Sequence, residues 1–548
     1  MTDKNTIDNL TSKQSDYAVF LPALSSFYSG YVGKQRFDPN SIPPSRVPSK
    51  FENGIEGMNW LNPKEAYFPY KWALYSAGHA NIDVTKVDPK EDMVRNRDPG
   101  SFILGDSGGF QIGKGVWAGE WRSPTNPTVK NIMANCIARG YEMRPMMASG
   151  GKQLLDKDGK PKFSKVDLVK EYQGKMDAAQ LKRSQVLSWM DAYMDRGMTL
   201  DVPAWLSRSP SGQKATGITS FDDAVEGTCI NNDYFMNNRS GRCKFLNVLQ
   251  GEDHTDADKW YDQVKHYCDP KHFEKPFEGW AMGGQNACDV HLILKRLVAL
   301  RFDKLLEPGL HDWMHVLGTS KLEWATLLTD IQRAIRKYHN PQFTISFDCA
   351  SPFLATANGQ VYYDVRIEDR QKWSYLMQKS VDNKKYALDT RSFRDALLQD
   401  KIFDSFIESP ISERTLIKDI CVYKPGDLNK IGKEGRTSWD SFSYTIQMAH
   451  NVWTHIHAVQ EANRQYDGGL YPEMLLASTM TGKRFRQNEH RYFRDVVNDI
   501  FAATTRSSAE KIIESYDRYW NRIIGSRGSR GDKVVNTKTA FNNLFEEV

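Results

Sequence analysis

Four apolar segments of the chain end in side chains able to attack, transfer a proton or hydrogen-bond a ring. Asp106, Asp201 and Asp348 each follow such a segment, and Gln250 follows the fourth. One carboxylate that attacks while a second handles protons suits displacement at the anomeric carbon of a sugar. The third carboxylate, the amide and nearby glycine amides suit the hydrogen-bonding edge of a planar heterocycle. The absence of an HExxH motif argues against metal-assisted hydrolysis.

One of these segments, LGDSGGFQ at 104–111, also contains the GDSGG letters of trypsin-like serine proteases. His79, the nearest upstream histidine, precedes Ser107 by only 28 residues, too few to build the first barrel of that fold. Phe110 stands where those proteases have Pro. We therefore interpret the shared letters as an unrelated use of a glycine-rich turn.

The elements that position these residues follow a βα rhythm. The ends of the last four β-prone segments, at residues 250, 283, 318 and 348, are 33, 35 and 30 residues apart, as expected for one strand and one helix each. Helical periodicity at 290–306 and 320–339 fills two of these intervals. The predicted strands lie at 17–24, 72–78, 102–104, 198–200, 245–249, 279–282, 314–317 and 343–347. Eight such units predict an α/β TIM (β/α)8 barrel, which brings the strand-end residues to one mouth.

The remaining sequence predicts a catalytic domain over 1–384 and a mainly helical C-terminal region over 385–548. Two connections, at about 112–197 and 204–243, are long enough to be insertions at the catalytic rim. The first includes a hairpin candidate, GKQLLDKDGKPKFSK, followed by a helix to about residue 195, and the second is rich in Ser, Gly and Asn. Helical segments of the C-terminal region are expected at 443–466, 491–505 and 508–524.

Composition indicates a globular chain. The 548 residues are 40% apolar and 12% aromatic, and the net charge of +5 permits a polyanionic partner without naming one. Seven cysteines without a dense framework suit a reducing compartment. No signal segment and no long apolar run is present, so we expect a soluble cytoplasmic protein that does not enter a membrane.

Six short motifs lie at the ends of predicted strands. The motifs are DSGGFQ at 106–111, LDVP at 200–203, VLQG at 248–251, GWAMGG at 279–284, VLGTS at 316–320 and FDCASP at 347–352. In order and spacing they resemble the signature blocks of the queuine and archaeosine tRNA-guanine transglycosylases, and DKDGKPKFS resembles a hairpin of that family. The resemblance covers roughly residues 15–360. It implies replacement of guanine by a 7-deazaguanine within a nucleic acid, without strand cleavage and without a cofactor.

The resemblance also implies a role for each matching residue. Asp348 would attack C1′ of the target nucleoside and expel guanine, and Asp106 would be the general acid and base. Two displacements at one carbon give retention of configuration. The base pocket would comprise Ser107, Asp201, Gln250 and the amides of Gly283 and Gly284, with Leu317 and Gly318 as an apolar wall.

Each of these assignments has a structural alternative. A strand-end aspartate is often the N-cap of the following helix. Gln250 would then only tie a loop together, and the glycines would serve turn geometry. Cys349, next to Asp348, is expected to be a buried small apolar residue and not a second nucleophile.

Two departures from the tRNA enzymes concern the substrate and a metal. After FDC, Phe353 and Leu354 replace residues that in those enzymes include basic contacts to RNA. His450 resembles the histidine of their structural zinc site, yet upstream only Cys421 is present, with Tyr423 and Gly426 at the expected cysteine positions. One thiolate and one imidazole do not make a tetrahedral zinc site, so we expect no metal. Packed aromatics would hold this part instead: Trp439, Phe442 and Trp453.

These departures favour the branch of the family that modifies DNA, found in phages and in bacterial modification clusters. The expected partners are double-stranded DNA and a 7-deazaguanine such as 7-cyano-7-deazaguanine, and loss of the zinc element, through which tRNA relatives often dimerise, favours a monomer. A divergent tRNA enzyme and a non-catalytic accessory subunit are the alternatives, the latter disfavoured because Asp106 and Asp348 are both present.

The best basic and aromatic segment for gripping phosphates is KRFRQNEHRYFR at 483–494. Its alternative interpretation is an amphipathic helix that buries Phe485 and Phe493 and exposes a solvated basic face. The candidate phosphate-binding residues are Lys483, Arg484, Arg486, Arg491 and Arg494.

Overall fold

The computed structural model describes residues 16–149, 151–368, 372–395, 405–422, 428, 437–477 and 491–523. Twelve strands lie in these residues: β1 Val19–Pro22, β2 Trp72–Ser76, β3 Phe102–Asp106, β4 Tyr141–Pro145, β5 Phe163–Asp167, β6 Arg196–Met198, β7 Lys244–Leu249, β8 Trp280–Met282, β9 Trp313–Val316, β10 Thr344–Cys349, β11 Gln360–Arg366 and β12 Ser374–Lys379.

Eight of the strands form one parallel sheet in the order β1, β10, β9, β8, β7, β6, β3, β2. A bridge between Ala23 and Leu74 joins the two outer strands, and the amide of Leu24 donates to the carbonyl of Leu74 at 2.9 Å. The sheet thus closes into a barrel whose strands follow one another in chain order. The predicted TIM barrel is confirmed, and each of the eight predicted strand segments overlaps one barrel strand, although the segment 198–200 overlaps β6 only at Met198.

Helices surround the barrel, and both predicted crossover helices are present. The α-helices of the described residues are Ser26–Val32, Lys34–Phe37, Asp92–Arg95, Gly109–Gly113, Pro127–Arg139, Leu168–Tyr193, Pro210–Thr216, Phe221–Asn238, His254–Val264, Val290–Phe302, Leu322–Tyr338, Ser351–Ala357, Ile417–Ile420, Ser441–Asp467, Phe493–Ala502, Arg506–Ser515 and Asp517–Trp520. No helix among the described residues is both long and apolar enough to span a bilayer.

The amino end of the barrel is filled by aromatic side chains. Trp313 of β9 stacks on Phe102 of β3 at 4.7 Å and lies 6.1 Å from Trp72 of β2, although three strands separate β9 from β3 in the sheet. These contacts therefore cross the barrel interior. Because residues two apart in a strand share a face, His315 also points inward, one layer nearer the carboxyl end. The aromatic layer leaves the carboxyl end as the open mouth.

The first insertion contains the predicted hairpin and helix. Strands β4 and β5 pair in antiparallel fashion, and the segment between them folds back through bridges from Met147 to Gln153 and from Leu155 to Pro161. The composition of the second insertion is typical of a loop, but in the structure the helix Phe221–Asn238 occupies much of it. Two of its asparagines, Asn231 and Asn232, are buried hydrogen-bond donors, and Asn231 donates to the carbonyl of Leu200 at 2.8 Å.

The C-terminal region contributes to the barrel wall. The helix Ser441–Asp467 contacts β1 and the crossover helix Leu322–Tyr338, so it fills the place of the eighth barrel helix. Its His455 stacks on Phe20 of β1 at 4.5 Å. One apolar core runs through both parts of the chain. The boundary at residue 384 stays a prediction.

Candidate active site

Asp348 is the next-to-last residue of β10, and one of its carboxylate oxygens is held by two contacts. The amide of Gly318 donates to Asp348 Oδ1 at 2.9 Å, and His315 Nε2 lies 3.1 Å from the same atom. The carboxylate is 14% exposed, whereas the imidazole of His315 is fully buried. Oδ1 therefore accepts both hydrogen bonds, and neither of these two donors holds Oδ2.

A buried chain of hydrogen bonds runs from the barrel interior to Asp348. Trp313 Nε1 donates to Ser346 Oγ at 2.8 Å, and Ser346 Oγ lies 2.9 Å from His315 Nδ1. A carboxylate cannot donate, so a neutral His315 must carry its proton on Nε2 and accept at Nδ1 from the Ser346 hydroxyl. The chain fixes both the tautomer and the ring orientation of the residue that holds Asp348.

Asp106 ends β3 in a buried environment that favours its protonated form. Burial raises the pKa of its carboxyl, and the nearby charge of Asp348 raises this pKa further. Ser76 of β2 opposes the shift by donating to Asp106 Oδ2 at 2.5 Å, and a 3.4 Å contact from the amide of Gly108 also lowers the pKa. The two carboxylates are therefore close enough to interact, and they differ in surroundings.

Asp201 and Gln250 form a second buried polar pair. Gln250 Nε2 donates to Asp201 Oδ2 at 2.8 Å, and both side chains are less than a tenth exposed. Burial raises the pKa of Asp201 to about 7; the charge of Asp106 adds to this shift, and the Gln250 hydrogen bond opposes it. Gly109 allows this arrangement, because a Cβ there would lie 2.5 Å from Asp201 Oδ1.

Two buried glutamine oxygens at this end of the barrel have no hydrogen-bond partner among the described residues. They are Gln250 Oε1 and Gln111 Oε1, and both side chains are less than a tenth exposed. An unsatisfied buried acceptor costs about 1–3 kcal/mol, which a ligand donor would recover. Ser107, beside Asp106, is also buried.

None of the three aspartates caps a helix. The N-cap after Asp106 is Gly108, and the N-cap after Asp348 is Ala350. The short 3₁₀ helix after Asp201 begins behind Pro203. The alternative structural role for these carboxylates is therefore wrong, and their side chains are available for other partners.

The glycines differ from the expected pocket donors. The amide of Gly283 donates to the carbonyl of Leu249 at 2.8 Å, so this donor is engaged within the sheet. Gly284 has a φ of +54°, and a Cβ there would lie 2.6 Å from the carbonyl oxygen of Gly251. Turn geometry and close approach explain both glycines, which corrects the prediction that the Gly283 amide binds the base.

Of the two residues expected to form an apolar wall, Leu317 has an apolar side chain, whereas Gly318 contributes a polar amide. Leu317 is partly buried against the core, and its amide donates to the carbonyl of Met282 at 3.1 Å. Gly318 instead supplies the amide that holds Asp348. Its φ of +67° is readily adopted by glycine, so the residue type follows from the turn that aims this amide.

Sequence reasoning missed four residues of the site. Ser76 ends β2, and Gln111 belongs to the DSGGFQ motif, so the strand-end rule and the motif both point to them. His315 and Ser346 lie inside strands, where only the register that pairs them shows that they meet.

Only part of the predicted phosphate-binding segment is described. Arg491 contacts Asp499 and donates to the Tyr516 hydroxyl at 3.1 Å. The Arg494 guanidinium lies 5.0 Å from the Tyr471 ring centroid, and Phe493 is fully buried. Residues 491–494 thus match the amphipathic alternative. The other three residues, Lys483, Arg484 and Arg486, lie outside the described part of the chain.

The donors at the expected zinc position do not fit that metal. Both nitrogens of His450 are engaged, by Ser409 Oγ at 2.7 Å and the carbonyl of Tyr362 at 2.8 Å. Burial lowers the pKa of His450 to about 4 and raises the pKa of the Cys421 thiol. The ring of His450 stacks on Phe406 at 5.5 Å. The predicted burial of the aromatic residues here is confirmed for Trp439, Phe442 and Trp453.

No protein-family model matches this chain, and no curated protein matches it either. The assignment of a reaction therefore depends on the geometry of the barrel mouth. That geometry combines a carboxylate held by one oxygen, a buried carboxyl with a raised pKa and a polar pair with open acceptors.

Proposed function

We propose that the protein replaces guanine in DNA with a 7-deazaguanine, such as 7-cyano-7-deazaguanine, through a covalent intermediate on Asp348. The observation that carries this proposal is the different treatment of two neighbouring carboxylates. Asp348 has Oδ1 fixed by Gly318 and His315, whereas burial raises the pKa of Asp106. Double displacement at a glycosidic carbon needs one group of each kind.

In the first displacement, Asp348 Oδ2 attacks C1′ of the target nucleoside. The bond between C1′ and N9 breaks, and the protonated Asp106 carboxyl gives its proton to the departing purine. Guanine leaves as the neutral base, and an ester-like bond joins Asp348 to the sugar. Gly318 and His315 fix one oxygen of Asp348 and so keep the carboxylate aligned. This alignment lowers the entropic contribution to the activation free energy.

In the second displacement, the incoming base reverses these steps. Asp106, now a carboxylate, removes the proton from N9 of the 7-deazaguanine, and N9 forms a bond to C1′. The bond from C1′ to Asp348 breaks, which restores both carboxyl groups. Two inversions at C1′ give net retention.

The pair Asp201 and Gln250 suits the edge of a guanine-like base. That edge presents N–H donors, and the pair offers a carboxylate and the open acceptor Gln250 Oε1. Burial raises the pKa of Asp201 to about 7. N–H donors of a bound base would stabilise the ionised form of this carboxyl group. A 7-deazaguanine has the same edge, so one pocket serves both the leaving and the incoming base.

The preference for DNA over tRNA is supported by the residues after the nucleophile. Phe353 is buried and packs edge-on against Tyr28 at 5.4 Å, in the position where the resemblance expects contacts to RNA. This segment therefore belongs to the core. A target guanine in a duplex must be flipped out to reach the mouth, at a cost of a few kcal/mol.

The test is to incubate the chain with 7-cyano-7-deazaguanine and either duplex DNA or tRNA, each labelled in guanine. We expect free guanine from DNA only, and none with Asp348→Ala, whereas the exposed control Asp262→Ala retains activity. Mass spectrometry of the denatured wild-type enzyme should show the nucleoside adduct. Release from tRNA alone would assign the chain to the tRNA enzymes, and release from neither would favour an accessory subunit.

A further inference from the structure

Exposed apolar side chains are concentrated in one projecting part of the molecule. Fourteen large apolar side chains of the described residues are exposed, and eight of them lie between residues 137 and 163. Such clustering on a surface usually marks a binding face. The eight are Ile137, Tyr141, Met143, Met146, Met147, Leu154, Leu155 and Phe163.

Seven of the eight belong to the hairpin formed by residues 141–149 and 151–167, here called the arm. Met143 pairs with Lys165, and Pro145 pairs with Phe163, so these four residues share one face of the ribbon. All four are exposed. The opposite face is anchored, because Arg144 binds Glu171 of the following helix at 2.6 Å.

The arm is also positively charged where it is exposed. It contains six basic and four acidic residues, and three of the acids are used internally. Glu142 pairs with Arg144, Asp156 accepts two amides of its own turn, and Asp167 caps the next helix. The arm lysines form no ion pair within the described part of the chain. They are Lys152, Lys157, Lys160, Lys162 and Lys165.

The arm lies on the same side of the barrel as the candidate active site. The helix Leu168–Tyr193 leads into β6, so its last residue lies near the amino end of that strand. Its first residue therefore lies toward the carboxyl ends of the strands. Lys182 of this helix lies over the ring of Trp117, which packs against Gly108 beside Asp106. At a rise of 1.5 Å per residue, the start of this helix, where the arm joins it, lies about 21 Å along the helix axis from Lys182.

We propose that the arm is a docking element for a nucleic-acid duplex, with its lysines on phosphates and its apolar face in a groove. The major groove, about 12 Å wide, accepts a two-stranded β-ribbon. Clustered lysines disfavour a second copy of the arm as the partner, because like charges would face each other. The proposal rests on the proposed function for the choice of DNA, and it adds a contact far from the six sequence motifs.

The test compares two triple substitutions in the Asp348→Ala chain, so that binding is measured without turnover. One is Lys157→Gln, Lys160→Gln and Lys162→Gln in the arm. The matched control is Lys244→Gln, Lys271→Gln and Lys275→Gln, three exposed lysines at the opposite end of the barrel, of which the first begins β7 and the other two lie in the segment before β8. Fluorescence anisotropy with a short duplex over a range of salt gives the affinity and its salt dependence, and unfolding midpoints check that both variants fold.

We expect the arm substitutions to raise Kd about tenfold or more and to reduce the slope of log K against log salt by about 2 to 3 units. The control should change neither. A change of Phe163→Ser and Tyr141→Ser should weaken binding with little effect on the slope, because these side chains are uncharged.

Equal effects of the two triple variants, or no effect of the arm variant, would overturn the proposal. So would a wild-type dimer in sedimentation that Phe163→Ser and Met143→Ser dissolve, since the arm would then bind another copy. The outcome is separable from that of the proposed function. Arm-dependent binding without guanine release would refute only the transglycosylase, and guanine release without an arm effect would refute only the docking site.

Discussion

The amide of Gly318 and the carboxylate of Asp348 are joined by a 2.9 Å hydrogen bond that connects the loop after β9 to the end of β10. His315, three residues before Gly318, lies against the same oxygen at 3.1 Å. One strand and its loop thus supply both groups that hold this oxygen. Because their backbone is part of the barrel, the orientation of Asp348 is set by the fold and requires no substrate.

His315 should therefore act as a positioning residue for Asp348. A hydrogen bond to a charged group contributes about 1.5–3 kcal/mol, so we expect His315→Ala to lower kcat by roughly 10- to 100-fold with little change in KM for DNA. His315→Gln should retain much more activity, because its amide can accept from Ser346 and donate to Asp348. Single-turnover formation of the adduct measures this effect. Equal loss in both variants, at unchanged stability, would show that the imidazole has another role.

Ser76 should set the upper pH limit of the first displacement. Its hydrogen bond lowers the pKa of Asp106, so Ser76→Ala should raise that pKa further. Asp106 must be protonated to release guanine, and kcat/KM for DNA should then decline at a higher pH than in the wild type. The pH profile of guanine release measures the shift, with the exposed Ser211→Ala as the control. A profile moved to lower pH would contradict the assignment of Asp106 as the acid.

Asp201 should reduce stability in exchange for base binding. Its folded pKa of about 7 lies above that of an unfolded aspartate, so its contribution to stability is fully present below about pH 4 and is lost as the pH rises to about 7. Asp201→Asn removes this loss, which corresponds to roughly 3–4 kcal/mol. Denaturant unfolding at pH 5 and pH 8 should show the variant gaining relative stability at the higher pH. The same variant should bind free 7-deazaguanine about tenfold more weakly or worse.

Gly109 should be required for the position of Asp201. In Gly109→Ala the new methyl would lie 2.5 Å from Asp201 Oδ1, so the carboxylate must move and base binding should fall. Gly174→Ala is the matched control, because nothing lies within 4 Å of its Cβ in the helix Leu168–Tyr193. That substitution should stabilise the chain by about 0.5–1 kcal/mol and leave activity unchanged. Calorimetric titration with the free base distinguishes the two variants, and equal affinity would contradict the placement of the pocket.

The helical region after the barrel shows where local patterns stop being informative. The periodicity of 443–466 predicts the helix that the structure has at Ser441–Asp467. It does not show that this helix fills the eighth position of the barrel, because that depends on which surface is left open after β10. In the second insertion, Asn231 is of a residue type common in loops. It is nevertheless buried in a helix, because the carbonyl of Leu200 accepts a hydrogen bond from its side chain.

The sequence by itself determined the eight strands, the barrel and the strand-end positions of Asp106, Asp201, Gln250 and Asp348, because alternation and strand length are local properties of the chain. Only the tertiary structure decided that Gly283 is engaged in the sheet, that Gly318 and His315 hold Asp348, and that the arm presents an apolar, lysine-rich face. These relationships depend on strand register and on the direction of a long helix. Both are set by packing between segments far apart in the chain, which no local pattern records.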